Sequence, residues 1–260
     1  MVAPEILSNT EQKDPQLLAI CVGNSRTQFG LFEGGKLMEA RSLANTSDAL
    51  IEELSALGAA APAVIATVNP ARSEPLLSGL KGSLLVGRDV PLHLKHTLED
   101  ASTLGQDRVL NAMAAFDRAE QACIVIDVGT AITIDFIDGE GVFHGGAIAP
   151  GLRMMLASLH AGTASLPEID LDAGTAADPH PFGRNTPDAM QKGVIAAARG
   201  LAREMSERIA SFYDAYPQIV ATGGDARLLF EEDGMVEHIV PELQLLGVKA
   251  AVDRALAESE

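Results

Sequence analysis

The sequence predicts a duplicated α/β fold, two similar lobes with a cleft between them. Three observations carry that expectation. The chain writes one device twice: residues 19–35 read AICVGNSRTQFGLFEGG and residues 125–141 read VIDVGTAITIDFIDGEG. Laid over each other, Cys21 meets Asp127, Val22 meets Val128, Gly23 meets Gly129, Asn24 meets Thr130 and Thr27 meets Thr133. Strand triplets followed by helices occur in both halves, the pattern of a repeated α/β unit. The length of 260 residues, with 47% hydrophobic side chains, is enough for two cores rather than one.

The elements follow in order. Residues 17–22 form an apolar strand, 28–32 its hairpin partner after a Gly-containing turn, and 36–41 a third strand beyond an Asp/Glu-Gly type reversal. Residues 46–57 carry apolar residues at helical spacing, with Ser47 and Asp48 as capping candidates. A buried strand spans 63–68, a short helix 72–80 and a strand 83–86, and 91–103 is irregular. The stripe Val109, Leu110, Met113, Ala114 and Phe116 marks a helix over 108–121. The second strand triplet covers 123–127, 133–137 and 142–148, and a helix covers 152–160. Residues 171–184, rich in Ala, Gly, Asp and Pro, read as a loop. Thr186-Pro187 reads as a hydroxyl cap followed by Pro, opening a helix that runs to about Tyr213 with small residues in its middle. A strand over 218–222 and a closing helix over 243–258 complete the chain. The lobes are expected to meet near residue 104, giving 17–104 and 105–260, with the last helix a candidate to pack back on the first lobe.

Composition narrows the function. With 19 Lys and Arg against 36 Asp and Glu, the net charge of −17 argues against nucleic acid or an anionic membrane as partner. An anionic small substrate stays open, because backbone N–H groups and a few Arg make a site locally positive. The two cysteines, Cys21 and Cys123, fall in core strands, as in a reduced cytoplasmic protein. Residues 1–16 lack the basic start and apolar run of a signal peptide and are expected to be a flexible leader. The six His have no metal-ligand spacing, and His144 and His160 are expected to be exposed polar residues.

The repeated hairpin has two readings. It is an ordinary turn, or a phosphate grip in which glycine lets backbone N–H groups approach and hydroxyls at Ser25, Thr27, Thr130 and Thr133 add donors. A carboxylate at the strand end would then hold a cation beside the phosphates. Asp127 has that chemistry, whereas the thiol of Cys21 is too soft for magnesium. The run Gly105-Gln106-Asp107-Arg108 puts an Asp-Arg pair at a loop-to-helix junction. Taken alone it reads first as a helix-start contact; the sharper reading is a general base beside an anion-binding cation. The run GGAIAPGL over 145–152 is a crowded turn or a close approach to a ligand, and GRNT over 183–186 is a cap or a polar mouth. Thr222-Gly223-Gly224-Asp225 is a tight connection or a surface for adenine and ribose.

Taken in order, GNSRTQFGLF, GQDRVLNAMAA, IVIDVGTAITIDF, GGAIAPGL, GRNTPDAMQKG and IVATGGDA resemble the type III pantothenate kinases, of the acetate and sugar kinase/Hsp70/actin superfold. The resemblance runs from about Leu17 to the final helix. It implies two actin-like (ribonuclease H-like) domains and phosphorylation of pantothenate by ATP, the first step of coenzyme A synthesis. It also implies magnesium, potassium or ammonium, and a homodimer that helps form the pantothenate pocket. Asp107 matches the family's catalytic base, and Gly105, Gln106 and Arg108 the rest of the substrate loop. Asp127 matches the monovalent-cation ligand and Thr130 an ATP contact. Thr186 matches a pantothenate contact, and Cys21, Val22, Gly23, Asn24, Ser25, Arg26, Thr27 and Gln28 the first phosphate loop. The chain departs from the family where Cys21 replaces Asp, Ser25 replaces Thr, Ile132 replaces a Thr and Leu98 replaces an aromatic residue. The alternative is a non-catalytic paralogue that binds pantothenate or a nucleotide in an accessory or regulatory role.

Overall fold

The computed structural model describes residues 16–58, 61–80, 82–172, 174 and 180–258. The expected leader and part of the expected 171–184 loop lie outside the described residues, although Gln16 opens the first strand. The chain divides into two compact units, residues 1–118 with 242–260, and residues 119–241.

In the first unit, β1 (Gln16–Val22), β2 (Arg26–Glu33) and β3 (Lys36–Ala44) form an antiparallel meander. Helix α1 (Ala49–Gly58) leads to β4 (Ala63–Thr67), which pairs parallel to β1. Helix α2 (Pro70–Gly79) leads to β5 (Leu84–Leu85), parallel to β4. The strand order is β3-β2-β1-β4-β5. The two-residue β6 (Lys95–His96) precedes α3 (Gln106–Ala119).

The second unit repeats the plan. Strands β7 (Cys123–Val128), β8 (Ala131–Ile137) and β9 (Val142–Pro150) form an antiparallel meander. Helices α4 (Leu152–Ala161) and α5 (Thr186–Tyr213) follow. Strand β10 (Gln218–Thr222) pairs parallel to β7, and after α6 (Ala226–Phe230), β11 (His238–Ile239) pairs parallel to β10. The order of these five strands is β11-β10-β7-β8-β9, the same path as in the first unit. The final helix α7 (Leu243–Ala257) belongs to the first unit.

Each sheet is covered by apolar side chains whose alternation follows the strand period. Leu18, Ile20 and Val22 pack under Leu50, Leu54 and Leu76 of α1 and α2. Leu17, Ala19 and Cys21, on the other face, pack against Val109, Leu110 and Met113 of α3 and Leu245, Val248 and Val252 of α7. This packing places the division after residue 118 rather than near 104: the inner stripe of α3 is buried on β1, so α3 belongs to the first unit. In the second unit Ile124, Ile126, Ile132 and Ile134 pack with Leu156, Val194, Ala198 and Ala202 of α4 and α5. The small Ala198 and Ala202 are fully buried and let α5 lie close.

Helix α5 begins and ends as the sequence predicts, but its cap is Asn185, whose side chain accepts from Asp188 N at 2.9 Å. Thr186 is instead the first helical residue. The expected third strand grows to Ala44, and α3 starts earlier, at Gln106. The short β6, α6 and β11 were not expected from the sequence, being too short to show a period.

Helix α7 crosses α3 closely enough that a Cβ on Gly247 would run into the Leu110 carbonyl. Gly247→Val is therefore expected to destabilise the first unit by about 2 kcal/mol, the usual cost of overpacking. Chemical denaturation followed by circular dichroism measures it.

Candidate functional site

Both units place their candidate residues at the carboxyl ends of parallel strands, where open α/β sheets hold ligands. In the first unit the β1–β2 turn spans Gly23–Arg26, since Val22 pairs with Thr27. Gly23 N donates to Arg26 O at 3.0 Å, and a Cβ on Gly23 would sit 3.0 Å from that same carbonyl. In the second unit Val128 pairs with Ile132, and Gly129 N donates to Ala131 O at 3.0 Å. The first turn is thus one residue longer, so the overlay holds through Gly23/Gly129 and then slips. Gln28, not Thr27, is the counterpart of Thr133, because Gln28 pairs with Cys21 as Thr133 pairs with Asp127.

The longer turn is held from below by Asn45, a residue that no motif of the sequence marks. Its Nδ2 donates to Gly23 O at 2.9 Å and to Asn24 O at 3.1 Å. Its Oδ1 accepts from Thr27 Oγ1 at 2.8 Å, and its N–H donates to Ser25 O at 3.0 Å. Thr27, expected as an open phosphate donor, is buried and its hydroxyl proton is committed to Asn45. Arg26 is exposed, and its guanidinium donates to Ser42 Oγ at 3.0 Å and Ser42 O at 2.6 Å. Asn24 and Ser25 stand exposed at the tip.

Cys21 is buried at 2% exposure in the core of the first unit. Burial pushes its thiol far above the usual range, and the neighbouring Asp107 carboxylate adds to the rise. The group is a neutral thiol at physiological pH. It offers no ligand to a hard divalent cation, so the residue present at this strand end does not fit magnesium. No group of three or more His, Cys, Asp or Glu among the described residues is arranged to hold a metal ion.

Asp107 stands in the first turn of α3, half-buried, with Oδ1 accepting from Arg108 N at 2.9 Å. Its place is set by Gln106. The Gln106 amide accepts from Thr67 N at 3.3 Å and donates to Val86 O at 2.9 Å, so it clamps α3 to the ends of β4 and β5. Gly87 leaves the room, since a Cβ there would sit 2.8 Å from Gln106 Nε2. Gln106, expected on the substrate, serves here as the clamp. Gly105 has Asp107 Oδ1 directly over it, leaving no space for a Cβ.

In the second unit Asp127 pairs in register with Thr133 on one side and Thr222 on the other. Register partners point to the same face, so a carboxylate is flanked there by two hydroxyl residues. Gly129 and Gly223 close over it: a Cβ on Gly129 would lie 3.5 Å, and one on Gly223 2.5 Å, from Asp127 Oδ1. Gly223 has φ +92, a conformation that favours glycine. Ile132 points to the opposite face, into the core with Ile134. The departure at 132 therefore removes no hydroxyl from the Asp127 face. Thr130 is exposed on the turn, and its carbonyl accepts from Gly151 N at 3.0 Å. Gly151 meets the carbonyls of Gly129 and Thr130 so closely that no side chain fits.

The structure brings Cys21 and Asp107 together in the first unit, and Asp127, Thr130, Gly151 and Gly223 together in the second. Thr186 stands apart, exposed at the start of α5, and among the described residues no hydrogen bond ties it to them. Gly146 lies directly over the Ile134 carbonyl, so the first glycines of GGAIAPGL serve strand pairing. His144, expected to be exposed, is half-buried with Nε2 2.8 Å from Asp138 Oδ2, a contact that orders the β8–β9 turn. His160 is exposed.

Comparison with known proteins identifies the family. Residues 17–208 match the family model of type III pantothenate kinase. The chain is 32% identical over 252 residues to the type III pantothenate kinase of Ruegeria pomeroyi, covering 89% of this chain and 95% of that one. It is 30% identical over 255 residues to that of Pelobacter propionicus, covering 92% and 99%. A solved structure from the Baf family of transcriptional activators of Campylobacter jejuni shares the fold with TM-score 0.58 at 22% identity, covering 91% of this chain and 98% of that one. The two repeated units are actin-like domains of the sugar kinase/Hsp70/actin fold, and the chain belongs to the type III pantothenate kinase family.

Proposed function

We propose that this protein transfers the γ-phosphoryl group of ATP to the primary hydroxyl of pantothenate, giving 4'-phosphopantothenate for coenzyme A synthesis. Family membership supports a kinase acting on pantothenate, with ATP and a divalent metal as its general requirements. The observation that carries the residue assignment is the docking of α3, which presents the half-buried Asp107 at the strand ends beside Cys21.

Asp107 accepts the proton of the attacking hydroxyl, and Arg108, next to it, attracts the pantothenate carboxylate. The turn N–H groups of Gly23–Gln28 and the hydroxyls of Ser25 and Thr130 hold the phosphates. Asp127, with Thr133 and Thr222 beside it, fits a monovalent cation, potassium or ammonium, which when bound supplies positive charge near the phosphates. Magnesium finds no ligand in Cys21. Gly105 keeps the backbone clear of the Asp107 carboxylate, and Gln106 holds the loop.

A homodimer fits the apolar side chains exposed on the second unit, with Ile148 of β9 and Met154 and Leu159 of α4 all at least 36% exposed. In that assembly Thr186 would contact pantothenate. Among the described residues no helix is long and apolar enough to cross a membrane, and both cysteines are free and buried, which supports a place in the reducing cytoplasm. One observation favours a second reading, a non-catalytic paralogue: the neutral thiol at position 21, where the resemblance implies a carboxylate.

Three outcomes test the proposal. Asp107→Asn should lower pantothenate-dependent ADP release at least a hundredfold with little change in thermal midpoint; unaltered turnover removes Asp107 from the base role. Cys21→Asp should raise kcat/KM for magnesium-ATP about tenfold, and Cys21→Ser should not. An unchanged rate in Cys21→Asp would mean that a carboxylate there is not what limits the reaction. Sedimentation should give twice the chain mass, and Ile148→Glu with Met154→Glu should halve it.

A further inference from the structure

Asn45 follows the last residue of β3 and reaches the β1–β2 turn. The two carbonyls it meets there, Gly23 O and Asn24 O, can only accept. The end of the carboxamide that faces them is therefore Nδ2, at 2.9 and 3.1 Å. The other end, Oδ1, takes the proton of the buried Thr27 hydroxyl at 2.8 Å, which locks that orientation. The Asn45 backbone N–H takes the next carbonyl, Ser25 O, at 3.0 Å. Three successive carbonyls are thus drawn towards one residue. The second unit has no such side chain. There Gly151 follows Pro150, which pairs with Ala131, as Asn45 follows Ala44, which pairs with Arg26. Gly151 N donates to Thr130 O as Asn45 N donates to Ser25 O, but no side chain fits at Gly151. The carboxamide is peculiar to the first turn, the one that follows a neutral thiol rather than a carboxylate.

A trans peptide is planar, with its C=O and N–H pointing opposite ways. Drawing the carbonyls of Gly23, Asn24 and Ser25 towards Asn45 therefore turns the N–H ends of those peptides, at Asn24, Ser25 and Arg26, away from it. Each peptide carries a dipole of about 3.5 D, and three that point the same way give the turn a positive pole on the side away from Asn45. Asn24, Ser25 and Arg26 are exposed, while Asn45 is half-buried. We propose that Asn45 is the positioning residue of the first phosphate turn: a neutral amide that holds two carbonyls off the ligand and aims the positive ends of the peptides at it. This rests on the reading of that turn as a phosphate grip. Without the carboxamide the carbonyls of Gly23 and Asn24 lose their donor, and the peptides can rotate to set oxygen against phosphate. A grip made of fixed dipoles works only while they stay oriented.

Calorimetric titration of the full-length protein with ATP and, separately, with pantothenate tests this independently of catalysis. Asn45→Ala should weaken ATP about tenfold and leave pantothenate unchanged. Pantothenate is the internal control, because its loop at Gly105–Arg108 belongs to the same unit as the turn. A residue that only stabilised the fold would weaken both ligands alike. Asn45→Ser, which keeps one hydroxyl donor, should fall between the alanine variant and the unaltered protein, and it decides the matter where the alanine variant does not fold. Unchanged ATP affinity in the variants, or equal loss of ATP and pantothenate, overturns the positioning role while leaving nucleotide binding intact. No binding of ATP by the unaltered protein overturns the reading of the turn on which it rests.

Discussion

The second unit depends on two places where backbone meets backbone with no side chain between. Gly151 lies against the carbonyls of Gly129 and Thr130, and Gly223 against Asp127 and Val128. These contacts gather the β7–β8 turn, the start of α4 and the end of β10 around one carboxylate. Any Cβ at either glycine would have to displace that carboxylate or the carbonyl beside it. The chemistry of Asp127 is thus set by the absence of atoms elsewhere in the sequence.

The first unit reaches a comparable arrangement by different means. Its strand-end group is a thiol, and its turn is longer and hung from Asn45. What it adds is α3, clamped by the Gln106 amide to β4 and to the carbonyl of Val86, which carries Asp107 to the strand ends. Duplication has given two copies of one strand path, order 3-2-1-4-5 in each, with different charges at equivalent positions. In the first copy the carboxylate comes from a helix rather than from the strand. A second carboxylate at position 21 would be buried beside Asp107, where like charges oppose each other's ionisation unless a bound cation lies between them. The neutral thiol removes that conflict and with it a ligand for a hard cation.

Much of this was legible in the sequence, for identifiable reasons. Strand alternation and the 28-residue α5 follow from strong periodicity and from Pro187 near a helix start. The repeat identified Cys21 with Asp127, and their shared place one residue before the strand end bears it out. What could not be read depends on distant partners. The turn hung from Asn45 and the clamp of Gln106 join residues far apart in the chain, and no local pattern encodes them; the return of the last helix to the first unit was expected, but not its close crossing of α3. The slip at Thr27 is invisible to an ungapped overlay because Thr27 and Thr133 fall at the same ungapped position, although Ile132 is what pairs with Val128 as Thr27 pairs with Val22. Asn185 rather than Thr186 caps α5, since either type can and only backbone geometry decides.

The central claim is that a protein with a thiol in place of the first carboxylate is still a pantothenate kinase. It is tested most directly by ADP release from the unaltered protein with ATP, magnesium and potassium, with and without pantothenate. The account predicts release that depends on pantothenate and saturates with it. Saturable binding of pantothenate with no such release would contradict it and favour the non-catalytic paralogue.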